Sequence, residues 1–195
     1  HIEGAEVFDL LKPIQTELNT DIGGLKGVLL ARGDHRGTFE DLENPAYYNS
    51  HIEPSIMMNF QAEFDQLVSN VVTKINGVLA NASNADNNYL WDANKNSPLQ
   101  VFVQVSPDTG SNLDKGWTTS NIAINTELVQ QPGLLGFMRG DGKADYDTTE
   151  ALAMLFEEQA YYLNPNTTSP TTFAGYYTDM VSQLANEGSV YRSIT

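Results

Sequence analysis

One long stretch without proline constrains the fold more than any other feature of the sequence. Residues 55–82 read SIMMNFQAEFDQLVSNVVTKINGVLANA and contain one glycine, Gly77. Apolar residues recur there every three or four positions, which places them on one side of an α-helix. These residues are Met57, Phe60, Phe64, Leu67, Val71, Ile75, Val78 and Ala82. The helix would be roughly 40 Å long and needs other helices along its apolar side, so we expect it to organise the chain.

The ends and the opposite side of this helix are also predictable. Ser55 follows Pro54 and is suited to cap the helix, because its hydroxyl can accept a hydrogen bond from an early backbone N–H. The side facing away from the apolar residues is predicted to contact solvent. It carries Asn59, Glu63, Gln66, Asn70 and Lys74.

Charge and composition exclude several classes of protein. The chain has 195 residues, a formal net charge of −15 and no cysteine. Such a charge repels nucleic acids and anionic membranes, so neither is an expected partner. Without cysteine the chain has no disulfide and no thiolate metal site. It shows no apolar run of about 18 residues and no signal-peptide pattern. Because it begins at His1, we expect an excised fragment, and whether residues 1–4 are native or derive from a tag stays open.

Other segments supply helices to pack on the long one. Thr20 or Asp21 is suited to cap a glycine-rich helix that ends at Gly33, and residues 126–130 fit one helical turn before Pro132. Asp147 or Thr148 is predicted to cap a helix that turns Leu152, Leu155 and Phe156 inward. The last helix spans residues 170–194. Its apolar residues are Phe173, Tyr176, Tyr177, Met180, Val181 and Leu184.

The remaining segments are predicted to be loops and a β insert. Residues 35–54 fit a structured loop, and residues 81–97 fit an asparagine-rich loop that contains Tyr89, Leu90 and Trp91. Residues 99–105 are rich in valine, and in residues 117–125 the isoleucines alternate with other residues. The two runs predict an antiparallel strand pair. The predicted fold is mainly α, with one domain over residues 1–195. It is an elongated bundle of about four helices around the long helix, with a small antiparallel β insert at about residues 85–130.

Residues for acid–base or nucleophilic catalysis are few and isolated. The histidines are His1, His35 and His51, and none lies in a nucleophile-elbow context. Glu150, Glu157 and Glu158 fit a solvated helix face better than paired catalytic carboxylates. Gly23, Gly24 and Gly133 form no phosphate-binding loop. We therefore predict no enzyme activity and no catalytic or cofactor-binding residues.

One acidic run resembles a metal-binding loop but departs from its pattern. Asp141, Asp145 and Asp147 lie close together, with Glu150 behind them. An EF-hand needs an acidic residue at position 3, glycine at 6 and glutamate at 12, and this run has Lys143, Tyr146 and Leu152 there. The run is better explained as a capping cluster for the helix that follows, so we predict no metal site.

Short recognition motifs give an alternative to a structural role. Arg-Gly-Asp occurs at residues 32–34 and 139–141, where glycine also suits a helix end and a turn. Tyr47 and Tyr48 lie in the predicted loop before the long helix. Asn81 and Asn166 match the glycosylation sequon, which matters only in a secreted eukaryotic protein.

Several segments together resemble the flagellar hook-associated protein 1 (FlgK) family, in the same order. Residues 22–34, IGGLKGVLLARGD, resemble its GG-x-L-x-G-(L/I)-L-x-x-R stretch, and residues 64–79 resemble the L-x-x-x-V-x-x-x-(I/V)-N helix that follows. Residues 119–128, TSNIAINTEL, resemble (L/S)-x-N-I-x-(I/V)-N-P-x-L, with Thr126 in place of proline. Residues 172–184, TFAGYYTDMVSQL, are similar to (S/T)-F-x-x-Y-Y-x-x-(L/M)-V-(S/G)-x-(I/L). Residues 145–156 are similar to a G-D-N-x-x-A-x-x-L segment but depart from it at Tyr146 and Asp147.

The resemblance spans roughly residues 22–192 and implies the central, mostly helical rod domain of a structural protein. Members of this family are exported unfolded through the flagellar secretion apparatus and stack outside the cell into the junction between hook and filament. The implied partners are further copies of the chain, the hook protein, the second hook-associated protein and an export chaperone that binds terminal segments. The resemblance implies no cofactor. The fragment without polymerising segments is expected to be monomeric. Residues 35–55 are an insertion relative to shorter members.

Three functional hypotheses follow from the sequence. The first is a structural component of the hook–filament junction that uses exposed helix faces and the β insert as subunit contacts. The second is an acidic extracellular binding or adhesion module that acts through the Arg-Gly-Asp turns or Tyr47 and Tyr48. The third is a carboxylate- or metal-dependent hydrolase that uses Asp141, Asp145 and Asp147.

Overall fold

The chain is mainly helical with a small two-stranded antiparallel sheet, as predicted. The computed structural model describes residues 24–84, 100–105, 116–135, 137–139 and 141–194. The α-helices in these ranges are Gly24–Arg32, Pro45–Tyr47, Ile56–Asn84 (the long helix), Thr126–Gln130, Tyr146–Met154 and Phe173–Ile194 (the C-terminal helix). The predicted cap at Thr20 or Asp21 and the loop residues Tyr89, Leu90 and Trp91 lie outside the described residues.

The chain divides into two compact units. Among described residues, the first unit contains residues 24–65, 162–168 and 178–194, and the second contains the described parts of residues 66–161 and 169–177. The long helix and the C-terminal helix each contribute residues to both units. The single domain over residues 1–195 stays a prediction.

The long helix begins as predicted, at a serine cap. The backbone N–H of Met58 donates to Ser55 Oγ at 3.4 Å, and the hydroxyl donates in turn to the carbonyl of Ala31 at 3.2 Å. The helix then runs for 29 residues to Asn84. Ser55 is buried, so its hydroxyl satisfies two backbone groups away from water.

The predicted apolar side is wrong for the first third of this helix. Met57 and Phe64 are 45% and 39% exposed, whereas Met58 and Ala62 are buried. Asn59 and Glu63, predicted to face solvent, are each only 1% exposed. The buried side keeps the helical period but is displaced by one residue, because the segment before the helix packs there. That packing forms the core cluster of Leu42, Tyr48, Ile52, Met58 and Ala62.

The segment before the long helix is helical, so its prediction as a loop is wrong. It contains a 3-10 helix, Phe39–Leu42, the short helix Pro45–Tyr47 and a π-helix, Tyr48–Ile52. Asn44 caps this run by accepting from the N–H groups of Ala46 and Tyr47 at 3.0 and 3.2 Å. Proline at the first position of a helix is favourable, since its missing N–H would be unpaired there in any case.

The predicted strand pair is confirmed. Strand β1, Phe102–Gln104, pairs with strand β2, Ile122–Ile124, and Val103 lies opposite Ala123. The helical turn Thr126–Gln130 follows as predicted, and a 3-10 helix, Pro132–Leu135, comes next. Leu79 and Leu128 are the buried centre of the core beside this pair.

The last two helices follow the prediction in part. The first of them is Tyr146–Met154 and is capped by Asp145, so the predicted cap at Asp147 or Thr148 is wrong. Leu155 is buried, but Phe156 is 52% exposed, because the helix ends before it. In the C-terminal helix Phe173, Tyr176 and Met180 are buried as predicted. Tyr177 and Val181, predicted to be apolar core, are exposed.

Candidate functional site

The first Arg-Gly-Asp sequence forms a helix end. The helix Gly24–Arg32 stops at Gly33, whose φ of 77° lies in the left-handed region and whose N–H donates to the carbonyl of Leu29 at 2.9 Å. Asp34 bonds to His35 Nδ1 at 2.7 Å, and this hydrogen bond lowers the pKa of Asp34. Burial opposes protonation of His35, but its bonds to Asp34 and Asp41 outweigh that effect and raise its pKa. The carboxylate is thus already paired within its own loop.

A small cavity beside this turn brings together residues that the sequence analysis treated separately. Asp34, Ser50 and His51 line a space of about 40 Å³ floored by Leu29, Leu30 and Met58. Ser50 Oγ lies 2.7 Å from His51 Nδ1. The serine hydroxyl, however, also lies 2.8 Å from the carbonyl of Ala46, to which it donates. A nucleophilic serine must give its proton to the histidine. Ser50 donates it to the backbone carbonyl of Ala46 instead, so Ser50 and His51 form a contact within the helical segment and not part of a catalytic triad.

The second Arg-Gly-Asp sequence lies on a small hairpin. Met138 pairs with Ala144 in an antiparallel bridge, and Gly142, with φ of 80°, forms the turn. Arg139 and Asp141 flank Gly140, which is outside the described residues. Their side chains are 44% and 53% exposed, so they point toward solvent at the surface of the second unit.

In the acidic run around this hairpin, only Asp145 is used for capping. Asp145 is 2% exposed and accepts from the N–H of Thr148 at 3.1 Å and from its hydroxyl at 2.6 Å. Asp141 lies 3.3 Å from Lys143, and Asp147 lies 3.6 Å from Arg139. The three aspartates therefore have separate partners, and no set of three or more potential metal ligands occurs in the part of the chain described.

Glu158, which follows this helix, belongs to a surface contact in the second unit. Glu158 Oε2 lies 3.0 Å from Lys74 Nζ and accepts from the hydroxyl of Tyr161 at 3.4 Å. Burial and the nearby Glu158 raise the pKa of Tyr161 to about 12. Its ring stacks on Phe173 with centroids 4.0 Å apart. This arrangement joins a helix, a loop and the start of the C-terminal helix.

Tyr47 and Tyr48 were predicted to lie in a loop that could bind a partner, but their environments differ. Tyr47 is 37% exposed and stacks on His51 with centroids 4.6 Å apart. Tyr48 is 1% exposed, and its hydroxyl donates to Asn59 Oδ1 at 3.0 Å. Tyr48 is part of the core, so it cannot contact a partner.

Asparagines of the family-like segments connect the strand pair to the long helix. Asn76 Nδ2 donates to the carbonyl of Phe102 at 2.9 Å, and its Oδ1 accepts from the N–H groups of Val101 and Phe102 at 3.0 and 3.2 Å. The side chain of Asn76 thus pairs with the open edge of β1 as another strand would. Asn125 bonds to the carbonyl of Gln100 at 3.0 Å and caps the next helix through the N–H of Glu127.

Two of the three aromatic residues of the last family-like segment, Phe173 and Tyr176, are core residues of the second unit. Phe173 is 6% exposed and meets Phe156 edge to face, with centroids 5.9 Å apart. Tyr176 is completely buried, and its hydroxyl donates to Gln66 Oε1 at 2.9 Å. The residues that carry the resemblance therefore have packing and hydrogen-bonding roles.

Large apolar side chains remain exposed on the second unit. They lie beside β1, on β2, on the hairpin and on or next to three helices. These residues are Val105, Ile124, Val129, Met138, Tyr146, Met154, Phe156 and Tyr177. Their exposed fractions range from 37% at Met138 to 77% at Tyr146. Five of the eight are tyrosine, phenylalanine or methionine, which are enriched in protein–protein interfaces.

A polar network around the buried Glu63 in the first unit was not predicted from the sequence. Glu63 accepts from Asn164 Nδ2 at 3.0 Å, and Gln183 Nε2 donates to Glu187 at 3.2 Å. Burial raises the pKa of Glu63 to about 7. A glutamate on the polar side of a helix is normally solvated. The pattern of the long helix alone therefore gave no signal for this site.

Within the described residues, no helix combines the length and apolar character that crossing a membrane requires. Comparison of the chain with models of known families, with curated proteins and with solved structures finds no match.

Proposed function

We propose that this chain is a structural component of the bacterial flagellum that forms the hook–filament junction by stacking of subunits. The proposal includes the arrangement predicted from the sequence, an elongated bundle of about four helices around the long helix. It also includes an extracellular location after export in an unfolded state.

One observation carries the proposal. The segments that resemble the hook-associated protein 1 family occur in the family's order, and four of their residues have defined roles in the second unit. Asn76 and Asn125 hold the strand pair, and Phe173 and Tyr176 fill the core.

The exposed apolar residues of the second unit support a role in assembly. Side chains beside β1, on β2, on the hairpin and on or next to neighbouring helices leave apolar surface in water. Burial of such surface between subunits is favourable by about 25 cal/mol per Å². We propose that this surface contacts other copies of the chain, the hook protein or the second hook-associated protein, and that terminal segments of the full-length protein bind the export chaperone. With a net charge of −15, copies of the 195-residue chain alone repel one another and should be monomeric.

Deletion of the full-length gene in the source bacterium tests this function. Mutant cells should carry hooks without filaments and should release unpolymerised flagellin into the medium, as seen by electron microscopy and immunoblotting. Complementation with the intact gene should restore filaments. Normal filaments in the deletion strain would overturn the proposal, and cells without hooks would assign the protein to an earlier step.

A second candidate function, an adhesion module, is favoured by the exposed hairpin that carries Arg139 and Asp141. Beads coated with the protein should then bind cells, and Asp141→Ala should abolish binding. Asp34→Ala is the matched control, because Asp34 belongs to the other Arg-Gly-Asp sequence and pairs with His35. Equal binding by Asp141→Ala and the unmodified chain would exclude this candidate.

A further inference from the structure

The polar network in the first unit contains two glutamates from different helices. Glu63, on the long helix, is 1% exposed and accepts from Asn164 Nδ2 at 3.0 Å. Glu187, on the C-terminal helix, accepts from Gln183 Nε2 at 3.2 Å. Gln183 also hydrogen-bonds to Glu63, so one carboxamide lies between the two carboxyl groups.

Among the described residues, the groups known to act on these carboxyls are neutral or acidic. The π-helix and its end present Tyr48 and Glu53, and the turn after Leu163 presents Asn164. Asn59, on the long helix, hydrogen-bonds to Glu187 and accepts from the hydroxyl of Tyr48. Amide donors can stabilise a carboxylate, but they cannot cancel the repulsion between two of them.

Burial therefore favours the uncharged form of both acids. It raises the pKa of Glu63 to about 7, with the charge of Glu187 acting in the same direction and the hydrogen bonds from Asn164 and Gln183 opposing it. Burial also raises the pKa of Glu187, and the charge of Glu53 adds to the effect. A single proton bound at this pair removes the repulsion without any change in packing.

We propose that a proton bound at Glu63 holds the C-terminal helix, from Thr178 onward, against the long helix beside Glu187, so that this contact is a pH-sensitive latch. Gln183 lies between the two acids, and Asn164 fixes the orientation of Glu63. The latch is closed while Glu63 is protonated. It weakens when both carboxyls are ionised, because the charge of Glu63 must then be held in a buried position beside that of Glu187.

The direction of the pH effect follows from linkage. The pKa of Glu63 is higher in the folded chain than its ordinary value of 4.5. The folded state therefore binds more protons than the unfolded state between these values. The stability that the proton contributes is fully present below pH 4.5 and is lost as the pH rises through about 7.

Carbon-13 NMR of the glutamate carboxyl groups, recorded from pH 4 to 9 on the whole 195-residue chain, tests the latch. We expect one glutamate to titrate near neutrality in the unmodified chain and its signal to be missing in Glu63→Gln. Amides in the C-terminal helix should lose hydrogen-exchange protection over the same pH range, after correction for intrinsic exchange. Glu187→Gln should shift the titration of Glu63 toward lower pH.

Denaturant unfolding supplies an independent readout. From pH 5 to 8 the unfolding constant of the unmodified chain should rise roughly 100-fold more than that of Glu63→Gln, as expected for a shift of about two pKa units. Glu43→Gln, an exposed substitution in the same unit, should behave like the unmodified chain. If every glutamate titrates between pH 4 and 5 in the unmodified chain, the proposal is wrong, and this result does not depend on whether a variant folds. A near-neutral titration that persists in Glu63→Gln would also contradict it.

Discussion

At the scale of single residues, two glycines illustrate how close approach decides what a position tolerates. A Cβ added at Gly37 would overlap the carbonyl group of Met58, which is rigid helix backbone, and the N–H of Gly37 donates to Gln61 Oε1 at 3.1 Å. A Cβ added at Gly77, inside the long helix, would meet nothing within 4 Å.

Gly37→Ala should therefore destabilise the chain by about 1–3 kcal/mol, since overpacking forces the backbone apart. Gly77→Ala should stabilise it by about 0.5–1 kcal/mol, since alanine is the better helix former. Denaturant unfolding of both variants measures the two effects. A Gly37→Ala variant as stable as the unmodified chain would contradict the packing described for residues 37 and 58.

Asn76 gives the second prediction at this scale. It is 6% exposed and makes three hydrogen bonds to the backbone of Val101 and Phe102. Asn76→Ala leaves half-buried peptide groups unpaired and should cost about 1–3 kcal/mol, the penalty for an unpaired group that is withdrawn from water.

Asn81→Ala is the matched control, because Asn81 is exposed on the same helix. It should change the free energy of unfolding by less than about 0.5 kcal/mol. If the two asparagine variants were equally stable, the side chain of Asn76 could not be what holds the edge of β1.

The same residues show what the sequence could predict. Gly33 and Ser55 were identified correctly, because a helix end and a helix cap depend on local backbone geometry. Glu63 was assigned to the wrong side of the long helix, because its burial depends on Asn164, which is 101 positions away in the chain. Pairing over such separations has no local signal.

At the scale of helices and strands, caps explain where the structure departs from prediction. Asn44 begins a helical run that was predicted as a loop, and the combination of asparagine and proline could have indicated it. Asp145, rather than Asp147 or Thr148, caps the helix Tyr146–Met154. In a run with several acidic residues, each of them fits the preference for a cap, so the choice depends on the hairpin that places Asp145.

Removing this cap should destabilise its helix. Asp145→Ala deletes two hydrogen bonds to Thr148 in a buried position and should cost about 1–2 kcal/mol. Asp147→Ala removes only an exposed ion pair with Arg139 and should cost less than about 0.5 kcal/mol. Thermal unfolding followed by circular dichroism compares the two, and a larger effect at Asp147 would reverse the assignment of the cap.

The strand pair was predictable for a different reason. Residues 99–105 are rich in valine, which favours a strand, and Ile122 and Ile124 recur with a period of two that an amphipathic helix does not have. The side chain of Asn76 holds the strand pair to the long helix. In the sequence, this residue stood out only as part of a family-like segment. The sequence predicted the strand pair, and the structure shows how it is attached to the long helix.

At the scale of the whole molecule, fold class was the most predictable property and function the least. The length of the proline-free stretch and the 3.6-residue period were sufficient to predict a mainly α chain. A protein that works by assembly uses surfaces, and apolar surface residues such as Ile124 and Tyr146 look the same in a sequence as core residues. Their exposure became evident only in three dimensions.

The position of the full-length protein in the cell tests the central claim most directly. Hook–filament complexes purified from the source bacterium can be labelled with antibodies raised against this chain and with gold particles, and then imaged by electron microscopy. We predict that the gold forms one short band where the hook meets the filament. Gold distributed along the filament, or flagella without label, would contradict the proposed role in the junction.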